Sequence, residues 1–290
     1  MSQINLEQWV EDEADPQRRQ FRQAAHLVLR AIANSAVLAP IMLMKGGILL
    51  AIRYQSTRFT RDIDFSTPKR LQDVDLPTLL ADVSQALLPV SADNEYGLAL
   101  TLQSHAVKPP DRPEVSFPTL QLRIAYASRT SQGDMLRLAK GQGTKTVQLD
   151  YSFNEWVSEI EKQALDGGTL SMYAFHDLIA EKLRSVLQQP LRNRSRFQDI
   201  YDISLLLECA TITDEDKRTI LNKLHEASED RKVPMDQMAM RNQAVIDLSK
   251  RDYDAVAVLI PSKPPAFEVA YDVVRRFFES LPWQDGLSKN

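Results

Sequence analysis

The sequence predicts an α/β domain with a mixed sheet, residues 1–165, followed by an α-helical domain, residues 166–290. Two patterns carry this expectation. Segments that alternate apolar and polar residues, as half-buried strands do, are confined to the chain before Gly167-Gly168. Beyond that pair only apolar stripes at three- and four-residue spacing remain, the mark of amphipathic helices. A chain of 290 residues, 43% apolar and 26% charged, is long enough for one large domain or two smaller ones. Only 9 glycines and 15 prolines, without repeats, exclude a collagenous or Gly/Ser-rich flexible chain.

In chain order, Phe21 to Val37 reads as a helix, with Phe21, Ala25, Val28, Leu29, Ile32 and Ala36 on one side and Pro40 as its stop. Gly46-Gly47 permits a tight turn that opens a short helix, Ile48 to Tyr54. Arg61 to Ser66 alternates as a strand and is stopped by Pro68, and Leu76 to Leu88 is helical by pattern. Leu98 to Leu102, Thr119 to Ala127 and Thr144 to Ser152 read as strands, separated by loops at Lys108–Pro113 and Gly133–Gly143. In the last of them Val147, Leu149 and Tyr151 share one face, and Gln148, Asp150 and Ser152 the other. The double glycine, at Asp166–Thr169, is taken as the domain boundary. Helices are then expected over Ala174 to Gln188, Phe197 to Cys209, Asp214 to Ala227, Met235 to Lys250 and Phe267 to Leu281.

Several function classes are disfavoured at once. The longest apolar stretch, Ala31 to Met44, is interrupted by Asn34, Ser35 and Pro40, so no membrane span is expected. The acidic start (Glu7, Glu11, Asp12, Glu13, Asp15) is unlike a secretory signal. The single cysteine, Cys209, forbids an intrachain disulfide. A cytoplasmic protein is the expectation. With 35 basic and 39 acidic residues the net charge is −4, which argues against a uniformly basic surface but not against a local basic groove. Two acid-free clusters offer one: Arg53, Arg58 and Arg61, and Lys182, Arg184, Arg192, Arg194 and Arg196.

Three constellations carry chemistry. Lys45-Gly46-Gly47 is followed by Asp62-Ile63-Asp64. Carboxylates at i and i+2 of a strand point to one face, where they repel unless a cation lies between them. Hard oxygen ligands suit Mg²⁺, and a glycine turn opening a helix offers N–H groups to a phosphate. Asp150, on a later strand, offers a third carboxylate, as a metal ligand or general base. Taken singly, these are more commonly a solvated strand face, a plain turn and a surface residue. The third constellation is Lys182 at the edge of its helix stripe, with Asp199 and Asp202 at i and i+3 downstream. Lys182 offers a charge for a triphosphate or simply snorkels to water. The two acids orient Lys182 or pair with Arg196, and helix-surface ion pairing is the commoner use of such a pattern.

The runs LMKGGILLAIRYQSTRFTRDIDFS, KTVQLDYSF and HDLIAEKLRSVLQQPLRNRSRFQDIYDISLLL together resemble the AbiEii/AbiGii-type nucleotidyltransferases. These are toxins of bacterial toxin–antitoxin and phage-defence systems, related to the MenT toxins. The resemblance covers about residues 20 to 210. It implies a DNA-polymerase-β-like domain followed by a helical domain, with NMP transferred from an NTP to an acceptor. On this resemblance Gly46 and Gly47, with the adjoining Lys45, form the donor-phosphate turn. Asp62, Asp64 and Asp150 hold Mg²⁺, Lys182 meets the triphosphate from the second domain across a cleft, and Asp199 or Asp202 is its acidic partner. The acceptor it suggests is RNA, with tRNA 3′ ends known among the MenT-type members, tracked by Arg192, Arg194 and Arg196 and by Arg53, Arg58 and Arg61. A cognate antitoxin is a further implied partner. One departure is Gly47, where many relatives carry a serine whose hydroxyl contacts phosphate. Two alternatives stand beside this: an NMP transferase acting on protein, and a non-catalytic nucleotide- or partner-binding module. Retention of all three carboxylates favours the enzyme.

Overall fold

The computed structural model describes residues 4–110, 115–155, 157 and 159–283. Part of the loop expected at Lys108–Pro113, residues 111–113, lies outside the described residues, as do the outermost residues of both expected domains. Contacts divide the chain into two compact units, one of Met1–Arg53 and Thr60–Tyr173, the other of Tyr54–Phe59 and Ala174–Asn290.

The first unit is built on one sheet of β1 (Leu43–Lys45), β2 (Asp62–Ser66), β3 (Leu98–Lys108), β4 (Thr119–Ser128), β5 (Thr146–Ser152), β6 (Ile160–Leu165) and β7 (Gly168–Tyr173). The order is β3-β4-β5-β2-β1-β7-β6. β2/β5 and β1/β7 are parallel and the other neighbours antiparallel, so the sheet is mixed as expected. Its helices are α1 (Leu6–Glu11), α2 (Pro16–Ala33), α3 (Gly46–Tyr54), α4 (Leu76–Ala92) and α5 (Gln132–Ala139). Strand alternation decides which side is core: Met44, Ile63, Phe65, Leu149 and Tyr151 are buried, whereas Asp62, Asp64 and Asp150 are half-buried. α2 packs on β5, β7 and α4 and buries Ala24, Ala25, Leu27 and Val28.

Three expectations are corrected here. The strands do not stop at Gly167-Gly168. Asp166 (φ +46°) and Gly167 (φ +87°) form the two-residue turn between β6 and β7, with Leu165 paired to Gly168. A turn with positive φ at both central residues matches the strand twist and favours Asp-Gly, so the glycine pair is a hairpin signal and residues 166–173 stay with the first unit. The Gly133–Gly143 loop contains α5, started by Ser131, whose hydroxyl accepts from the Asp134 N–H. α2 runs from Pro16 to Ala33 instead of Phe21 to Val37. The Asp15 carboxylate accepts from the N–H groups of Gln17 and Arg18, Pro16 sits at the first helical position, and Asn34 caps the other end.

The second unit contains α6 (Phe175–Leu187), α7 (Gln189–Arg192), α8 (Phe197–Cys209), α9 (Asp214–Glu229), α10 (Gln243–Lys250), α11 (Val256–Leu259) and α12 (Phe267–Glu279). α6 packs on α8 and α9, and α12 on α8. Instead of one helix over Met235–Lys250, α10 begins at Gln243, where the Asn242 side chain accepts from the Ala244 N–H. Tyr54–Phe59 is tied into this unit through the Phe59 N–H, which donates to the Leu259 carbonyl at 2.7 Å.

Candidate active site

Strand register assembles the carboxylates. In the parallel β2/β5 pair Asp64 lies opposite Asp150 and Asp62 opposite Gln148. Each acid offers an oxygen, and these oxygens all lie within 4.8 Å of one another. Neutral groups steady two of them: the Thr60 hydroxyl donates to Asp62 at 2.6 Å and the Gln148 amide to Asp150 at 3.0 Å. Burial pushes the Asp150 carboxyl above its ordinary range and Asp62 adds to the shift, against hydrogen bonds from Gln148 and Gln121. Like charges gathered at half-buried positions, all with oxygen donors, fit a hard divalent cation.

The turn between β1 and α3 closes on the same carboxylates. Gly46 has φ +74°, and a Cβ there would lie 1.9 Å from Asp64 Oδ2. Only glycine lets the backbone approach the Asp64 carboxylate this closely. Gly47 is buried in the first turn of α3.

Lys45, directly opposite Asp64 in the antiparallel β1/β2 pair, is buried and forms an ion pair with Glu155. Its ammonium lies 5.7 Å from the Tyr173 ring centroid. The Tyr173 hydroxyl shares a 2.8 Å hydrogen bond with Ser66 and donates to Glu155 at 3.5 Å. Sequence reasoning missed Glu155, Tyr173 and Ser66, because their meeting depends on β7, which has no alternating pattern.

In the second unit Lys182 donates to Asp199 at 2.8 Å and to Asp202 at 2.9 Å. Arg58 grips the other side of Asp202 through two hydrogen bonds of 2.8 and 2.9 Å and reaches Gln198 at 3.1 Å. Asp202 is fully buried and Lys182 is 8% exposed, so the lysine does not snorkel to water. Burial pulls the Lys182 pKa down, but Asp199 and Asp202 outweigh it and hold the ammonium above its ordinary value. Burial alone would raise Asp202, and Lys182 and Arg58 bring it below the usual carboxylate range. Arg196 stands 3.9 Å from Asp199, so the acidic pair serves Lys182 first.

The two arginine clusters differ. Arg53 is bound to Glu161 and Gln163, and Arg58 is buried on Asp202. The expectation that Arg53 and Arg58 track a phosphate backbone is corrected: their guanidinium groups are committed inside the protein, whereas Arg61 is exposed. Arg192, the last residue of α7, and Arg194, between α7 and α8, are exposed. Burial and then Arg231, Arg196 and Arg194 push Arg192 below its ordinary value, and Arg196 does the same to Arg194.

A mixed sheet that presents three aspartates beside a glycine turn opening a helix accords with the class that the family match shows, the nucleotidyltransferases. The chain belongs to the family described as nucleotidyl transferase AbiEii toxin, type IV toxin–antitoxin system, whose pattern matches residues 27–273. That family implies a nucleotide substrate and an antitoxin partner. The fold is shared with JHP933 from Helicobacter pylori (TM-score 0.55, 16% identity, 94% of this chain and 97% of that one). It is also shared with a second H. pylori structure assigned to the nucleotidyltransferases (TM-score 0.51, 15% identity, 95% and 100%). No curated protein matches by sequence. Among the described residues no helix is long and apolar enough to cross a membrane.

Proposed function

We propose that this protein transfers a nucleoside monophosphate from an NTP to RNA, at a tRNA 3′ end, with release of pyrophosphate, in the cytoplasm. The observation that carries the reading is the convergence of Asp62, Asp64 and Asp150, with oxygens within 4.8 Å, beside the Gly46–Gly47 turn. These three aspartates would hold Mg²⁺, which supplies neutralisation of the donor phosphates as charge moves onto the bridging oxygen. The turn offers N–H groups to the donor phosphates. Asp150, whose carboxyl burial and Asp62 raise above the ordinary range, would take the acceptor hydroxyl's proton. The hydroxyl oxygen bonds to the α-phosphorus, and the bond to the pyrophosphate oxygen breaks. Lys182, kept charged by Asp199 and Asp202, is proposed to contact the triphosphate.

The RNA reading is supported by Arg192, Arg194 and Arg196, whose mutual repulsion an anionic backbone relieves. No stacking aromatics interleave them, so shape and charge carry recognition more than base reading. The test is incubation with each α-labelled NTP, total RNA or cell protein, and Mg²⁺, followed by a gel. Label on tRNA-sized RNA that disappears with EDTA and with Asp64→Ala is the expected result. Label on protein alone, or on nothing, overturns the reading.

A further inference from the structure

The sheet face that carries the triad extends past it. Cross-strand partners share a face, so the row of Asp64 and Asp150 continues through Gln121 on β4 to Ala106 on β3, the edge strand. The row on one side carries Asp62, Gln148, Arg123 and Ser104. The row on the other carries Ser66, Ser152, Thr119 and Lys108. Neighbouring strands lie about 4.8 Å apart, so Arg123 stands two strands, about 10 Å, from Asp62. Gln121 joins the triad to the strands beyond it, since its side chain hydrogen-bonds to Asp150.

Charge changes sign along these rows. β2 and β5 present three carboxylates. On the same face, β4 from Thr119 to Arg123 and β3 from Ser104 to Lys108 present no acid and two cations, Arg123 and Lys108. Both cations are exposed, and neither has a hydrogen bond or ion pair among the described residues. Leu138 of α5 clusters with Ala125 and Ala127, the next residues of β4 on this face, which are 0% and 1% exposed. Arg123 is therefore the first position of β4 outside the cover of α5. Ser104 and Ala106 are small and exposed, which keeps the floor low between the cations. Arg123 lies opposite Ser104, and Lys108 is four residues farther along β3, roughly 13 Å.

An acceptor whose hydroxyl reaches Asp150 brings its own phosphates with it. The acids repel them, and Arg123 and Lys108 attract them. We infer that this face of β4 and β3 is a shelf for the single-stranded 3′ end of the acceptor RNA, on which Arg123 and Lys108 hold the phosphates nearest the reacting hydroxyl. The role rests on the RNA reading above. These rows contain no aromatic side chain, so the contacts are to phosphate and sugar, without stacked bases.

The test is filter binding of the full chain to a short single-stranded RNA with a free 3′ hydroxyl. A second probe is the same RNA with uncharged methylphosphonates at the two linkages nearest that hydroxyl, with 2′-O-methyl groups there in both probes. Wild type should bind the second probe about tenfold more weakly, with a salt slope flatter by roughly 1.4, the loss of two phosphate contacts. The double variant Arg123→Gln/Lys108→Gln should bind the first probe about tenfold more weakly than wild type, and each single variant about threefold. The double variant should lose nothing further on the second probe. Both residues are exposed, so the fold should hold, and thermal melts check it. Equal losses on the second probe in wild type and double variant mean that the cations touch other phosphates, and the shelf fails. Variants that bind both probes as wild type does also overturn it. Wild type that shows the coupled losses but labels no RNA defeats the transfer reading alone. Wild type that binds neither probe defeats both.

Discussion

The acidic triad of the first unit and the ion-pair network of the second both gather aspartates, yet they solve opposite problems. Asp199 and Asp202 face Lys182 and Arg58, so two carboxylates meet two cations at full hydrogen-bonding distance. Asp62 and Asp150 are steadied by a hydroxyl and amides, and Asp150 is pushed toward its neutral form. A charge set balanced from within needs no ligand to be stable, and one that is strained gains from a cation. The same residue type thus belongs to a balanced ion-pair network in one unit and, on the proposed reading, to a cation site in the other.

The largest expected effect sharpens that contrast on the strained side. Asp64→Ala should cut transfer by at least about a hundredfold, a few kcal/mol of barrier. Its folding stability without metal should hold or rise slightly, because one repelling charge is gone. Near-wild-type transfer, measured with a labelled NTP, breaks the assignment. The balanced side predicts the reverse. Lys182→Met leaves Asp199 and Asp202 with an uncompensated buried charge and should cost about 3 kcal/mol or more in urea unfolding. If stability is unchanged, the network is not the balanced scaffold described here. Transfer measured where this variant is still folded then isolates the contribution of the ammonium to catalysis.

A smaller effect is expected at the surface. Replacing Arg192, Arg194 and Arg196 with alanine should flatten the salt dependence of RNA binding by up to about three phosphate contacts, with NTP binding little changed. An unchanged slope in filter binding would make them an ordinary solvated loop. The smallest effect lies at the start of α9, where Thr213 and Asp216 form a capping box. Hydrogen bonds from Thr213, then from His176, hold the Asp216 carboxyl down at about 2. A depressed folded-state pKa stabilises above the ordinary carboxylate value, and the gain is lost as pH falls toward 2. Thr213→Ala should cost about 1 kcal/mol at neutral pH. The difference from wild type in thermal melts should shrink on acidification through that window.

What could be read from the sequence follows what each feature depends on. The faces of β2 and β5 were legible because alternation alone assigns Asp62, Asp64 and Asp150 to one side and Ile63, Leu149 and Tyr151 to the other. α8 was legible to its ends, Phe197 and Cys209, because its stripe is local. β1 and β7 were not, since three residues have no measurable period and a buried parallel strand has no polar face. With them went the partners of Lys45, and with the fate of Tyr54–Phe59 went the role of Arg58, which looked like a free surface cation and is a buried clamp.

The missing side chain at Gly46 bears on how a toxin of this family is lost by descendants of the cell that carries it. Every missense change at that codon adds a Cβ against Asp64 and forces a side chain into a φ of +74°. No replacement is conservative there, whereas neighbouring α3 positions such as Leu49 and Leu50 can exchange one apolar residue for another. Under selection against the active protein, single-nucleotide escape should therefore collect at Gly46 as densely as at the aspartates. Sequencing survivors of forced expression would reveal that hotspot, and survivors with Gly46 untouched throughout would refute it.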